Sequence, residues 1–171
     1  MQTQTDNIAL FSHVSIDYPL KKYTLRAVTD VTFALKRGAI TALVGESGSG
    51  KTTLASSLIR CISEPGRVAE GEITFFGRDG GEIRADLLSD KEMRAFRWSK
   101  VSMVFQAAQS AHNPVPTVRE QFTETLEAHG EKLPKEAREA RFYDLLGYVK
   151  LDAERVLASY PHELSGGMKQ R

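Results

Sequence analysis

The chain has 171 residues, 41% of them hydrophobic, which suits one ordinary domain core, and its formal net charge of +1 gives no general case for nucleic acid or an acidic surface as partner. Cys61 is the single cysteine, so an internal disulfide and a zinc–thiolate cluster are excluded and a reducing compartment is indicated. No apolar run reaches the length of a membrane span, and Met1-Gln2-Thr3-Gln4-Thr5-Asp6 lacks the basic and apolar parts of a signal peptide, so membrane association has to come through a partner.

Ile8 to Ile16 alternates loosely, with Ile8, Leu10, Val14 and Ile16 apolar, and predicts a strand that Tyr18-Pro19 ends. Leu25 to Leu35 resumes the alternation through Val28, Val31 and Phe33, so the pair predicts an antiparallel hairpin with Lys21-Lys22-Tyr23 at its turn. Lys36-Arg37-Gly38 turns the chain into Ala39-Ile40-Thr41-Ala42-Leu43-Val44, an apolar run that predicts a buried strand. Next comes Gly45-Glu46-Ser47-Gly48-Ser49-Gly50-Lys51-Thr52, which satisfies G-x-x-x-x-G-K-[ST] at every fixed position. Thr53 to Ile59 then predicts the helix that leaves this loop.

A triphosphate brings several negative charges against the backbone, and glycines permit that approach because they lack Cβ. The loop N–H groups form an anion nest, and the helix start adds its positive end. In such a loop Lys51 reaches the β- and γ-phosphates, and Thr52 completes the shell of a Mg²⁺ ion.

Glu64-Pro65-Gly66 ends the helix, and Glu70 to Gly77 predicts a short strand followed by the loop Gly77-Arg78-Asp79-Gly80-Gly81. Ser89-Asp90-Lys91-Glu92 has capping-box spacing for a short helix through Phe96. Val101-Ser102-Met103-Val104-Phe105 predicts a buried strand with Gln106 at its end. From Ala107 the character changes to an irregular loop ending Asn113-Pro114-Val115-Pro116, and a second capping box, Thr117-Val118-Arg119-Glu120, starts a helix to His129 with Gly130 as its stop. Pro134 is placed as a first helical residue, with Phe142, Leu145, Leu146 and Val149 on one face. Asp152 caps a short helix through Ala158, and Ser165-Gly166-Gly167 reads as one more helix start after Tyr160-Pro161. His13, His112, His129 and His162 lie far apart and suggest neither a metal site nor a triad.

The last residues, Leu164-Ser165-Gly166-Gly167-Met168-Lys169-Gln170-Arg171, resemble the LSGGQ-type signature of ABC ATPases, with Met168 where many members have glutamine. Loop, strand-end glutamine and signature follow in that family's order, with 55 residues from Lys51 to Gln106 and 59 from Gln106 to Ser165. Val44 to Lys51 and Tyr160 to Met168 further resemble the ATP-binding subunits of dipeptide and oligopeptide importers. Asn113-Pro114 falls where that group has Ser-Leu-Asn-Pro, although Ala107-Ala108 replaces Asp-Pro and Ala111-His112 replaces Ser-Leu.

The resemblance implies an α/β fold: a P-loop NTPase core of the ABC type with an antiparallel β subdomain and an inserted α-helical subdomain, its C-terminal part missing. Residues 1–106 would form the nucleotide-binding core with the P-loop and Q-loop, 107–159 the helical subdomain, and 160–171 the signature returning towards the core. The cofactors implied are ATP and Mg²⁺. The cradle would comprise Gly45, Glu46, Ser47, Gly48, Ser49, Gly50, Lys51, Thr52 and Thr53, the last on the α-phosphate. Lys51 and Gln106 would be catalytic, with Thr52 and Gln106 at the metal. Tyr18 would stack on adenine, with Tyr23 as its rival. Ser165, Gly166 and Gly167 would contact ATP held by a second ABC ATPase subunit, identical or not.

The further partners implied are integral membrane permease subunits, met by the loop from Gln106 to Pro116, with no nucleic acid. The location is the cytoplasmic face of the cell membrane, peripherally. Dipeptides, oligopeptides or a related solute such as nickel or an oligosaccharide would be the cargo. No apolar run ending in Asp-Glu occurs at a suitable place, so little ATP turnover is expected from these residues alone, and the chain reads as the N-terminal part of a longer subunit with exposed apolar edges. The alternatives are a soluble ABC ATPase acting on nucleic acid or ribosomes, which often carries coiled-coil or zinc insertions absent here, and a non-hydrolysing nucleotide-binding fragment.

Overall fold

A computed structural model describes residues 6–105 and 111–171. The chain divides into two compact units, Met1–Ser102 and Met103–Arg171. Among the described residues no helix is long and apolar enough to cross a membrane.

The first unit is a four-stranded sheet with two helices. Strands β1 (Asn7–Pro19) and β2 (Thr24–Lys36) form the expected hairpin, each longer than its apolar alternation because pairing carries the polar ends along. β3 (Arg67–Phe76) pairs with the other edge of β1, and β4 (Glu82–Arg84) with β3, giving the order β2-β1-β3-β4, antiparallel throughout. The sheet's apolar face carries Phe11, Val14, Ile16, Val28 and Ile73. Against it lie Leu54 of α1 (Lys51–Ser57) and Met93 and Phe96 of α2 (Asp90–Ser99). Phe11 stacks on Phe33 at 4.6 Å, and Phe75 meets Phe96 edge-on at 4.9 Å.

The polar face is laced by charge. The Arg26 fork bonds Asp17 at 2.9 Å and Glu70 at 3.0 Å, spanning β2, β1 and β3. Those hydrogen bonds hold both carboxyls below their ordinary values. The β1–β2 ladder is interrupted where His13 and Asp30 take positive φ and pair with each other at 2.7 Å. Gly71 passes against this irregularity; a Cβ there would sit 2.2 Å from the His13 carbonyl oxygen.

Two strand expectations need correction. Ala39–Val44 forms no strand, and Ile40, Leu43 and Val44 are exposed. Of Val101 to Phe105, Val101 makes one bridge to Arg97, while Val104 and Phe105 are exposed. Apolar composition on both faces predicts burial only where ladder partners flank the run, and among the described residues none pairs with either stretch beyond that bridge. α1 also begins and ends two residues earlier than the pattern suggested, because Lys51 is already helical.

The second unit is helical: α3 (Val118–Ala128), α4 (Lys135–Tyr148), α5 (Ala153–Ala158) and α6 (Gly166–Gln170), with a 3-10 turn at Pro161–Glu163. The capping boxes predicted at Ser89/Glu92 and Thr117/Glu120 are both formed, with reciprocal side-chain-to-backbone bonds. Asp152 caps α5 through the Arg155 N–H. Pro134 is the residue before α4 instead of its first member, since its ψ of 152° is extended. Val118, Phe142, Leu146, Val156 and Leu157 form the core, with Phe122 edge-on to Phe142 at 5.3 Å.

Candidate functional site

The loop between Val44 and α1 is shaped by its own backbone. The Ser49 N–H donates to the Glu46 carbonyl at 3.2 Å, closing a turn around Ser47-Gly48, and the Leu54 N–H donates to the Gly50 carbonyl at 2.8 Å as the first helical bond. Gly50 is the helix N-cap at φ 85°, ψ 3°, a left-handed geometry. Its α-carbon is also pressed on β2, where a Cβ would lie 2.7 Å from the Ala27 carbonyl oxygen and 3.2 Å from Val28 Cγ2. Glycine is required there twice, by conformation and by space.

Lys51 curls back over the turn it follows. Its Nζ donates to the Gly45 carbonyl at 2.9 Å, the Glu46 carbonyl at 2.6 Å and Ser49 Oγ at 3.3 Å. All three N–H donors of the ammonium are therefore spent on the loop itself, so an anion reaches Nζ by displacing one or more of these bonds. Thr52 is exposed in the first turn of α1 and Thr53 half-buried beside it. A hydroxyl at this position suits a hard cation that takes oxygen ligands from phosphate and water, so the residues present fit Mg²⁺. Among the described residues no cluster of three or more His, Cys, Asp or Glu could hold a metal by itself.

Tyr18 sits beside this helix. Its hydroxyl is 3.5 Å from Thr53 Oγ1, and its ring lies against Gly66, whose added Cβ would come within 2.6 Å of it. Tyr23 stands in the hairpin turn, 63% exposed. The structure thus brings Tyr18 to Thr53 in the first turns of α1 and leaves Tyr23 exposed on the hairpin turn. A cavity of about 700 Å³ is lined by the loop residues Gly45, Ser49, Gly50 and Lys51 together with apolar side chains such as Val31, Phe33, Leu35 and Leu43.

The Ser165 turn lies in the second unit. Ser165 is the N-cap of α6, its Oγ accepting from the Met168 N–H at 3.3 Å. Ser165, Gly166 and Gly167 are exposed, while Leu164 and Met168 on either side pack on the helical core. The apolar pair thus fastens the turn and leaves its glycines facing outward. Gln106 lies outside the described residues. Two arginines escaped the sequence reading: Arg60 and Arg97, at the far end of α1, donate to main-chain oxygens. Contacts to backbone carbonyls leave no residue pattern, so only coordinates reveal them.

Comparison with known proteins identifies the family and the fold. The ABC transporter family model matches residues 28–171. The chain is 36% identical over 154 residues to the dipeptide transport ATP-binding protein DppD of Caldanaerobacter subterraneus, covering 90% of this chain and 46% of that protein. It is 34% identical over 171 residues to the oligopeptide transport ATP-binding protein AmiE of Streptococcus pneumoniae, covering 99% and 47%. It is 40% identical over 147 residues to the glutathione import ATP-binding protein GsiA of Salmonella choleraesuis, covering 85% and 23%. The chain thus spans about half the length of the first two relatives and less of the third. Among solved structures, the dimeric bacterial ABC transporter cassette MJ0796 superposes with a TM-score of 0.76 at 28% identity, over 95% of this chain and 66% of that one. The fold is the α/β fold of these cassettes, and the chain belongs to the ABC transporter family.

Proposed function

We propose that the chain is the ATP-binding portion of an importer's energising subunit. The observation that carries this is Lys51: its ammonium is fixed by two loop carbonyls beside the turn Glu46–Ser49, directly at the start of α1. MgATP would bind with its β- and γ-phosphates on Lys51 and the loop N–H groups, the metal on Thr52 and Gln106, the α-phosphate near Thr53, and adenine against Tyr18. The 3.5 Å approach of Tyr18 to Thr53 supports Tyr18 over Tyr23. Mg²⁺ would neutralise charge on the phosphates; the loop's part is to bind and orient them.

The outward glycines after Ser165 support contact with ATP on a second subunit, as does the dimeric assembly of the MJ0796 cassette. Closure of such a pair would move permease subunits at the cytoplasmic face of the membrane, through the loop from Gln106 to Pro116. The names of the relatives favour dipeptides, oligopeptides or glutathione as cargo. The sequence contains no apolar run ending in Asp-Glu at a suitable place, so little turnover is expected from these 171 residues alone.

The test is titration with a fluorescent ATP analogue and Mg²⁺. Wild type should bind, and Lys51→Ala should weaken binding about tenfold or more, given the ~1.5–3 kcal/mol typical of hydrogen bonds to charged groups. Equal binding by Lys51→Ala, or none by wild type, would refute the phosphate-loop reading.

A further inference from the structure

α1 presents one end to the loop and the other to two arginines. Its C-terminus closes in a Schellman arrangement: the Cys61 N–H donates to the Ser56 carbonyl at 2.9 Å and the Arg60 N–H to the Ser57 carbonyl at 3.1 Å. Such a cap needs one left-handed residue, usually glycine, and here Arg60 takes it at φ 50°. The carbonyls of Ile59 and Arg60 remain beyond the cap. Arg97 Nε donates to Ile59 O at 2.8 Å, and its Nη2 to Arg60 O at 3.0 Å.

The brace runs in both directions. The Arg60 guanidinium crosses the other way, donating to the Leu88 carbonyl and, at 3.1 Å, to Asp90 at the start of α2. Each arginine therefore leaves one helical segment and fastens the other. Arg97 also stands where the α2 backbone breaks, at ψ 144°, with Trp98 at φ 68° after it. Its main chain bridges to Val101, the start of the run that leads to Gln106.

α1 has seven residues, so about 10 Å of stiff helix separates the braced end from Lys51. A shift at one end is carried to the other. The guanidinium fork fixes two adjacent carbonyls at once, which a point charge cannot do. Its positive charge also lies at the negative end of the helix dipole.

We propose that Arg97 is a positioning residue for the phosphate loop: its fork on the carbonyls of Ile59 and Arg60 sets the axial position and tilt of α1, and so the placement of Lys51. The proposal rests on the nucleotide-binding reading of that loop.

The experiment titrates the intact chain with a fluorescent ATP analogue and Mg²⁺, well below the melting temperature of each variant. Arg97→Ala should weaken binding roughly three- to thirtyfold, the range of residues that couple to a site without touching the ligand. Arg97→Lys, with its charge kept and its fork lost, should fall between. Arg84→Ala is the control: it removes a guanidinium paired with Asp86 and Glu72 on the sheet, and should lower the melting temperature without moving affinity. If Arg97→Ala fails to fold, Arg97→Lys against Arg84→Ala decides, a loss of threefold or more supporting the proposal and wild-type affinity overturning it. Wild-type affinity in folded Arg97→Ala overturns it, and so does an equal loss of affinity in Arg84→Ala at an equal fall in melting temperature. If wild type binds and Lys51→Ala does not while the Arg97 variants bind normally, this inference alone falls. If wild type binds nothing, the loop reading falls and this one with it.

Discussion

Gly50→Ala puts the geometry of the loop to a graded test. The added methyl would sit 2.7 Å from the Ala27 carbonyl oxygen and 3.2 Å from Val28 Cγ2, both closer than ordinary contact. It would also hold alanine at φ 85°. The left-handed backbone costs about 1–2 kcal/mol. Forcing β2 and α1 apart to admit the methyl costs about 1–3 kcal/mol more, as overpacking does. The total of ~2–5 kcal/mol corresponds to a fall in melting temperature of roughly 5–15 °C for a chain of this size. Two other glycines separate the contributions. Gly38 has φ 68° but nothing within 4 Å of an added Cβ, so Gly38→Ala should show the backbone cost alone, about 1–2 kcal/mol. Gly167 lies in α6 with open space around it, so Gly167→Ala should be neutral or stabilise by up to ~1 kcal/mol. Thermal melts followed by circular dichroism should therefore rank Gly50→Ala well below Gly38→Ala and Gly38→Ala below Gly167→Ala. If Gly50→Ala melts together with Gly38→Ala, the close approach of the loop to β2 is wrong.

The charged lacing of the sheet and the helical core make separate predictions. Arg26 lowers the Asp17 and Glu70 carboxyls, so its contribution is fully present above their unfolded values and is lost as pH falls through the lowered folded ones. The stability gap between wild type and Arg26→Gln should be constant near pH 7 and shrink below about pH 4; a gap that persists at about pH 2 would contradict the pairing. Phe142 is 1% exposed at the centre of the second unit, so Phe142→Ala should cost ~3–5 kcal/mol. Hydrogen exchange should show that loss across residues 117–171, with β1 to β3 still protected; uniform loss over both units would mean that they unfold as one.

The elements legible in the sequence are those whose cause is local. The two capping boxes are four-residue circuits, so Ser89/Glu92 and Thr117/Glu120 could be read without knowing what surrounds them. The hairpin was legible because two loosely alternating apolar runs flank a polar turn. The pairs Phe11–Phe33, Val14–Val31 and Ile16–Val28 nevertheless break period two at the His13/Asp30 irregularity, so Ala9 and Phe11 are buried with Val14 and Ile16 while Ile8 is exposed. β4 was not: its three residues are too few for a period and exist as a strand only through Thr74, Phe75 and Phe76 of β3. The left-handed residues His13, Asp30, Arg60, Trp98 and Lys150 were equally silent, since none is the glycine or asparagine that usually marks such a turn.

The two apolar runs, Ala39–Val44 and Val101 to Phe105, show what composition alone can specify. A run that is apolar on both faces states that it needs cover, and says nothing of what provides it. The phosphate loop nevertheless keeps its shape although Ala39–Val44 has no ladder among the described residues. Its constraints come from Gly50 against Ala27, Lys51 against the Gly45 and Glu46 carbonyls, and the Ser49–Glu46 turn. The loop is thus held from the β2 and α1 side. That is why substitutions at Gly50 and at the braced far end of α1 test the site more directly than any change in the run that precedes it.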